Sequence, residues 1–242
     1  MNKPTITTII IMLFIIIVGT YAMGEVNYYA SKVAIEMDQE NPVILIPKIN
    51  VEEKINNVSI SQGVYHEEFS YAPGDGEVVI FGHRTLQGSP FLRLNELTVG
   101  DTISLQWPGK GEMNYTMTNS TIVPGSYTMD VLNDTQNIYL ITCDPIGSSA
   151  NRLIVVGNLT STNDEVNNAI IHDNPQQYFG LIIIGIFGII GAIITYFYPK
   201  DNQLYIGIVI GIMLLILIYF YFFPIDSDII YSKINWINGG FL

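Results

Sequence analysis

Cysteine is almost missing from this chain: 242 residues carry one, Cys143. A disulfide within the chain is thereby excluded, as is a CxxC redox motif or a cysteine-pair metal knuckle. Basic residues are scarce as well, 10 Lys and Arg against 22 Asp and Glu, for a formal net charge of −12. A surface of that sign repels phosphate backbones and anionic headgroups, which argues against nucleic acid as a partner. There is no glycine-rich phosphate loop, dinucleotide fingerprint or internal repeat. The three histidines, His66, His83 and His172, lack the spacing of metal ligands.

Charge is absent altogether from three stretches: Thr5 to Tyr21, the 21 residues from Tyr178 to Tyr198, and the 20 residues from Leu204 to Phe223. At ~1.5 Å per residue, either of the last two forms a helix of about 30 Å, the thickness of a bilayer's hydrocarbon core. They read as an antiparallel membrane hairpin. The first run, with Lys3 before it and Thr20-Tyr21-Ala22 after it, also fits a cleavable signal peptide. Its small-x-small pattern is imperfect, so it reads as an uncleaved anchor. Lys3 and Lys200 place the N-terminus and the turn Pro199–Gln203 in the cytoplasm, and the segment between the first and second spans outside.

The expected organisation is a membrane anchor over 1–23, a stalk over 24–42, a catalytic domain over 43–165, a linker over 166–177, the hairpin over 178–223 and an external tail over 224–242. Between Gly24 and Gln176 stand 19 acidic and 7 basic residues. The same segment holds five Asn-x-Ser/Thr sequons, at Asn57, Asn114, Asn119, Asn133 and Asn158. A lone cysteine in an external domain points to a reactive thiol or an intermolecular bridge.

The outer domain reads as short strands separated by turn residues. Val43–Pro47 and Ile49–Val51 form a proline-interrupted strand, Val58–Ile60 a short one, and Glu77–Phe81 another after Pro73-Gly74-Asp75-Gly76. Phe91–Leu97 reads as one or two helical turns, with Ser89 as N-cap and Pro90 at the first position. Thr102–Trp107 and Met113–Val123 alternate polar and apolar residues as half-buried strands do. Ile138–Cys143 and Asn151–Val156 complete a set of seven or eight strands with little helix, an all-β barrel or sandwich. His66 falls in a loop.

Cys143 closes one apolar strand, Phe81-Gly82-His83-Arg84-Thr85 closes another, and Arg152 opens a third. Strand ends are places where side chains converge on a rigid sheet, and a thiol, an imidazole and a guanidinium are the groups of nucleophilic catalysis. Asp144 complicates that reading, because a nearby negative charge raises a thiol's pKa.

Tyr139-Leu140-Ile141-Thr142-Cys143 resembles the Thr-Leu-x-Thr-Cys signature of the sortases, and Arg152 follows the cysteine by nine residues as their arginine does. Gly82-His83-Arg84-Thr85, continuing through Gly88-Ser89-Pro90-Phe91 to Leu94-Asn95-Glu96-Leu97 and Gly100-Asp101, is similar to the histidine stretch of the class D and E members. Tyr139 departs from the signature's first threonine, and the two C-terminal spans resemble multi-span forms found in archaea. The resemblance implies a closed β-barrel of seven to eight strands with short helices, plus transmembrane helices. It also implies a cysteine transpeptidase in which Cys143 attacks the substrate carbonyl, His83 exchanges protons with the amines, and Arg152 stabilises the oxyanion.

The residues Tyr127–Gln136 become the substrate-groove loop, with Val131, Leu132 and Thr142 as substrate-binding residues. The implied partners are secreted proteins with a C-terminal sorting motif of the Leu-Pro-x-Thr-Gly kind, an amine acceptor on a cell-wall polymer or pilin, and membrane lipid. No cofactor is expected. The pairs Glu52/Glu53 and Glu67/Glu68 are candidates for the calcium that some sortases bind, but read as solvated charged surface. A silent sortase-like binding module is the alternative, although a binding groove needs neither thiol nor imidazole. A transport role for the hairpin finds no support in its uncharged spans.

Overall fold

The computed structural model describes residues 3–36, 42–85, 88–164, 178–225 and 229–230, which fall into two compact units. The expected linker over 166–177, His172 and most of the tail over 224–242 lie outside the described residues.

One unit is helical: α1 (Ile6–Glu36), α2 (Phe179–Phe197) and α3 (Lys200–Phe222). Among the described residues, three helices are long and apolar enough to cross a membrane: Ile6–Ala30 of α1, α2 and α3. The helix runs without a break through the first part of the expected stalk. Ile15 packs against Ile206 and Ile210, and Ala22 and Val26 against Leu217. Gly191 lets the backbones approach, since a Cβ there would stand 2.5 Å from Ile210 Cγ2. Asn27 satisfies both backbone groups of Ile225, its Nδ2 donating to the carbonyl and its Oδ1 accepting from the N–H, each at 2.9 Å. In a dry environment such closed pairings are what make a polar side chain tolerable.

The other unit is a closed barrel of eight strands: β1 (Val43–Ile46), β2 (Val51–Asn56), β3 (Val64–His66), β4 (Val78–Phe81), β5 (Thr102–Trp107), β6 (Gly111–Pro124), β7 (Asn137–Asp144) and β8 (Asn151–Asn163). Their order around the barrel is β1-β2-β3-β4-β7-β8-β6-β5. Closure removes free sheet edges, and the β2–β3 and β4–β7 pairs are parallel while the rest are antiparallel. Alternate residues point inward, so Ile44, Ile46, Val78, Ile80, Leu105, Tyr115, Ile138, Leu140 and Val155 fill one core. Fully burying each such side chain contributes roughly 1.5–3 kcal/mol.

Four local expectations need correction. Val58–Ile60 is not a strand, because Asn56 Oδ1 accepts from the N–H groups of both Val58 and Ser59 and turns the chain. His66 is not in a loop: Val64–His66 pairs with β2 and β4, and the His66 ring meets Trp107 edge-on. Ser89 is not an N-cap, since its φ of 51° is left-handed, and the helical turn shrinks to a 3-10 turn at Leu94–Glu96. Glu53, read as solvated, is buried.

Candidate active site

Strand β7 follows its two-residue period to its end. Ile138, Leu140 and Thr142 face the barrel interior, whereas Tyr139 and Ile141 pack outside with Val79 and Phe81 of β4 and Ile154 and Val156 of β8. Cys143 continues the outer row. It is partly exposed and lies opposite Arg152 in the β7–β8 register, where Arg152 Nη1 donates to Cys143 Sγ at 3.6 Å. The same nitrogen donates to the carbonyls of Ser149 at 3.0 Å and Asn151 at 3.2 Å. Its position is thus fixed by backbone acceptors, and among the described residues no carboxylate forms an ion pair with it beside the thiol.

His83 follows β4. Phe81 pairs with Ile141 and Gly82 N–H donates to Ile141 O at 3.1 Å, so the pairing of β4 with β7 runs to two residues short of His83 on one strand and of Cys143 on the other. The approach depends on Gly82, where a Cβ would collide with the ring of Phe91 at 2.6 Å. Phe91 is fully buried and its N–H donates to His83 O at 3.0 Å, so the ring and the backbone bond together set where His83 stands. His83 is 6% exposed. His66 belongs elsewhere, on β3, with Nε2 near Tyr71 O and Ser70 Oγ, and burial holds its pKa below the usual histidine value.

A groove of ≈400 Å³ adjoins Arg152. Val79, Phe81, Ile141, Ile154, Phe69, Met129, Tyr127 and Gly125 line it with Arg152. A Cβ on Gly125 would stand 2.6 Å from Ser149 O, the carbonyl that Arg152 uses, so only glycine allows these two loops to close up. An apolar trough with a cation at one end suits an extended peptide whose carbonyl must be polarised.

The expected substrate-binding residues part company here. Val131 packs into the outer cluster with Val79, Ile141 and Ile154. Leu132 is half exposed and does not line the groove; its N–H donates to Glu77 Oε2 at 2.9 Å and its carbonyl accepts from Glu77 N–H at 2.9 Å. Thr142 is 3% exposed and faces inward, and its hydroxyl donates to Gly82 O at 2.7 Å. The alternation that sends Cys143 outward sends its neighbour the other way, so Thr142 ties β7 to β4.

Besides Glu53, two buried charges near the site escaped the reading of the sequence. Glu77 is 2% exposed, and its Oε1 accepts from Thr135 Oγ1 at 2.6 Å, Tyr139 OH at 2.9 Å and Asn137 Nδ2 at 3.1 Å. Burial pushes its pKa up, but the bonds from Thr135, the Leu132 backbone, Tyr139 and Asn137 outweigh it and hold the carboxyl below its usual range. This explains Tyr139, the departure in the motif: its hydroxyl reaches across to Glu77. Arg84 is 5% exposed and donates to Asp144 Oδ1 at 2.6 Å, Asn95 Oδ1 at 2.7 Å and Cys143 O at 3.2 Å. A lone Glu before an apolar strand and an Arg after a strand-end His were the only signals available. Among the described residues no group of three or more His, Cys, Asp or Glu is placed to hold a metal ion.

Residues 42–160 match the sortase domain family model. Solved structures similar to this chain include sortase C1 of pilus island 1 of group B Streptococcus, 24% identical over 52% of this chain and 68% of that one, with a TM-score of 0.47. Sortase A from Corynebacterium diphtheriae is 25% identical over 51% and 61%, TM-score 0.46. Sortase C from Clostridium perfringens, solved with the C-terminal cell wall sorting motif, is 26% identical over 49% and 69%, TM-score 0.45. No curated protein matches. With the family's model laid over the whole barrel, from β1 to within three residues of the end of β8, the chain belongs to the sortases, a family of cysteine transpeptidases.

Proposed function

We propose that this protein is a membrane-anchored transpeptidase that cleaves a Leu-Pro-x-Thr-Gly-like sorting motif near the C-terminus of secreted proteins and joins them to an amine acceptor. The single observation that carries the reading is the contact of Arg152 Nη1 with Cys143 Sγ, Arg152 also lining an apolar groove; the β4–β7 pairing that ends two residues short of both His83 and Cys143 supports it.

The thiolate of Cys143 attacks the carbonyl carbon before the scissile bond, forming a C–S bond and an oxyanion. Arg152 supports that oxyanion, because a guanidinium presents a fixed fork of cationic donors. As the oxyanion collapses the C–N bond breaks, and His83 gives the departing amine its proton. The acceptor amine then attacks the thioester, surrenders a proton to His83, and leaves with the new amide as the thiolate returns. No cofactor enters either half.

The acceptor is a cell-wall polymer or a pilin subunit. Val131, on the groove loop, contributes to the apolar surface that takes the motif's leucine and proline. The three apolar helices hold the enzyme at its substrates' exit point, with Lys3 and Lys200 on the cytoplasmic side and the barrel outside.

Incubating the full-length protein in detergent with a sorting-motif peptide, without an amine, and recording its intact mass tests this directly. An adduct equal to the acyl half of the peptide, on Cys143 and released by added amine, is the expected result. A wild-type protein that stays unmodified with every sorting motif tried, or whose adduct survives in Cys143→Ala, overturns the reading.

A further inference from the structure

We propose that Arg84 is a positioning residue for the thiol, acting through Asp144; the inference rests on the reading of Cys143 as nucleophile. The observation is a buried cation with four acceptors drawn from both sides of the site. Arg84 Nη1 donates to Asp144 Oδ1 at 2.6 Å and to Cys143 O at 3.2 Å, Nη2 to Asn95 Oδ1 at 2.7 Å, and Nε to Leu92 O at 3.4 Å. The first two acceptors end β7, and the last two belong to the segment that packs Phe91 beneath His83.

One side chain therefore fixes the height of the cysteine's own carbonyl and ties it to the segment that holds the histidine. A guanidinium is suited to this because its donors diverge in one plane; a lysine ammonium offers a single point.

The second effect is electrostatic. Asp144 follows the thiol directly, and alternation turns its carboxylate to the opposite face from Cys143. The carboxylate is 20% exposed and paired with Arg84. Unpaired, a unit charge one residue away disfavours the thiolate about threefold even in a water-like dielectric, and more in a drier one. Arg84 cancels that charge, while Arg152, on the outer face, remains the cation that the thiol meets.

Because Cys143 is the only cysteine, its alkylation by iodoacetamide in the full-length protein reads this effect without requiring transpeptidation. Arg84→Gln strands the Asp144 carboxylate and slows alkylation at pH 7 about threefold or more. Asp144→Asn strands the Arg84 cation and speeds it by a similar factor, and the double variant returns to within about twofold of wild type. These opposite signs separate positioning by charge from mere loosening, which would expose the thiol in both single variants and raise both rates. Arg84→Lys keeps the charge, so its alkylation matches wild type while its kcat falls about tenfold with KM unchanged.

Equal rates in wild type and Arg84→Gln, or rates raised in both single variants, overturn the proposal. If Arg84→Gln does not fold, Asp144→Asn at the wild-type rate overturns it equally well. Failure of the transpeptidase reading shows separately, as a wild-type protein that never forms the acyl adduct.

Discussion

Strand β4 has a buried charge at each end, and the two are held in opposite ways. Glu77, just before its start, is held by neutral donors only: a threonine, an asparagine, a tyrosine and a backbone amide. Arg84, just past its end, is held by an anion, Asp144, and by the carbonyl of the residue that carries the thiol. Four hydrogen bonds suffice to keep a carboxylate charged and buried, and they pin a loop. An ion pair keeps its charges close to the chemistry while cancelling their sum. One end of the strand therefore holds its charge with neutral donors that pin a loop, the other with an ion pair beside the thiol; on the proposed reading the second is the reactive end.

The largest break in this contrast comes at the reactive end. Cys143→Ala abolishes transfer and alkylation while melting within a few degrees of wild type, because the residue is partly exposed and its loss leaves little cavity. Scanning calorimetry beside a transfer assay checks both halves. Substantial transfer by the alanine variant removes the nucleophile from the mechanism.

Arg152→Lys ranks second. Its charge survives but its fork does not, and turnover falls about 10²-fold, the scale of losing one oxyanion donor. A near-normal kcat would move the oxyanion to backbone amides and make Arg152 structural.

Glu77→Gln is the corresponding break at the rigid end, and its signature differs. Replacing a carboxylate that accepts four bonds costs about 1–3 kcal/mol of stability and raises KM more than it lowers kcat, since the loop and not the thiol is disturbed. The folded-state pKa of Glu77 lies below its ordinary 4.5, so its contribution is fully present above that value and is lost as pH falls through the folded value. Wild type should thus lose more stability than Glu77→Gln between pH 5 and strong acid, in urea titrations at each pH. Parallel pH profiles would mean that the network does not depend on the charge.

Tyr139→Phe sharpens the contrast most finely. It removes one of the four donors and leaves the ring in the outer cluster, so about 0.5–1.5 kcal/mol of stability is lost and kcat stays within twofold. A tenfold fall in kcat instead would place this tyrosine at the reactive end.

Much of this was open to reading along the chain. Uncharged runs of bilayer length identify helices that can cross a membrane, because burying even one ion in hydrocarbon is costly. Alternation in Thr102–Trp107 and Met113–Val123 predicts half-buried strands, β5 and β6 in the barrel. Cys143, His83 and Arg152 stand out because each is a reactive type at a strand end. Val58–Ile60 misled because local β-propensity cannot see that the Asn56 side chain will take the backbone bonds a strand would need. The inward facing of Thr142 was hidden for a related reason: neighbouring residues in a motif look alike in sequence, although a strand sends them to opposite faces.

The amino-acid sequence by itself determined that a single thiol is on offer, the acidic composition, the apolar runs and most of the strands, since each follows from residue chemistry or a period of two or 3.6. Only the closed barrel decided which strands meet, setting β4 parallel to β7 and Arg152 across from Cys143. The roles of Glu77 and Arg84 are tertiary in the same sense. A buried charge is stable only with partners, and theirs come from residues 8 to 62 positions away, brought within hydrogen-bond reach by closure of the sheet.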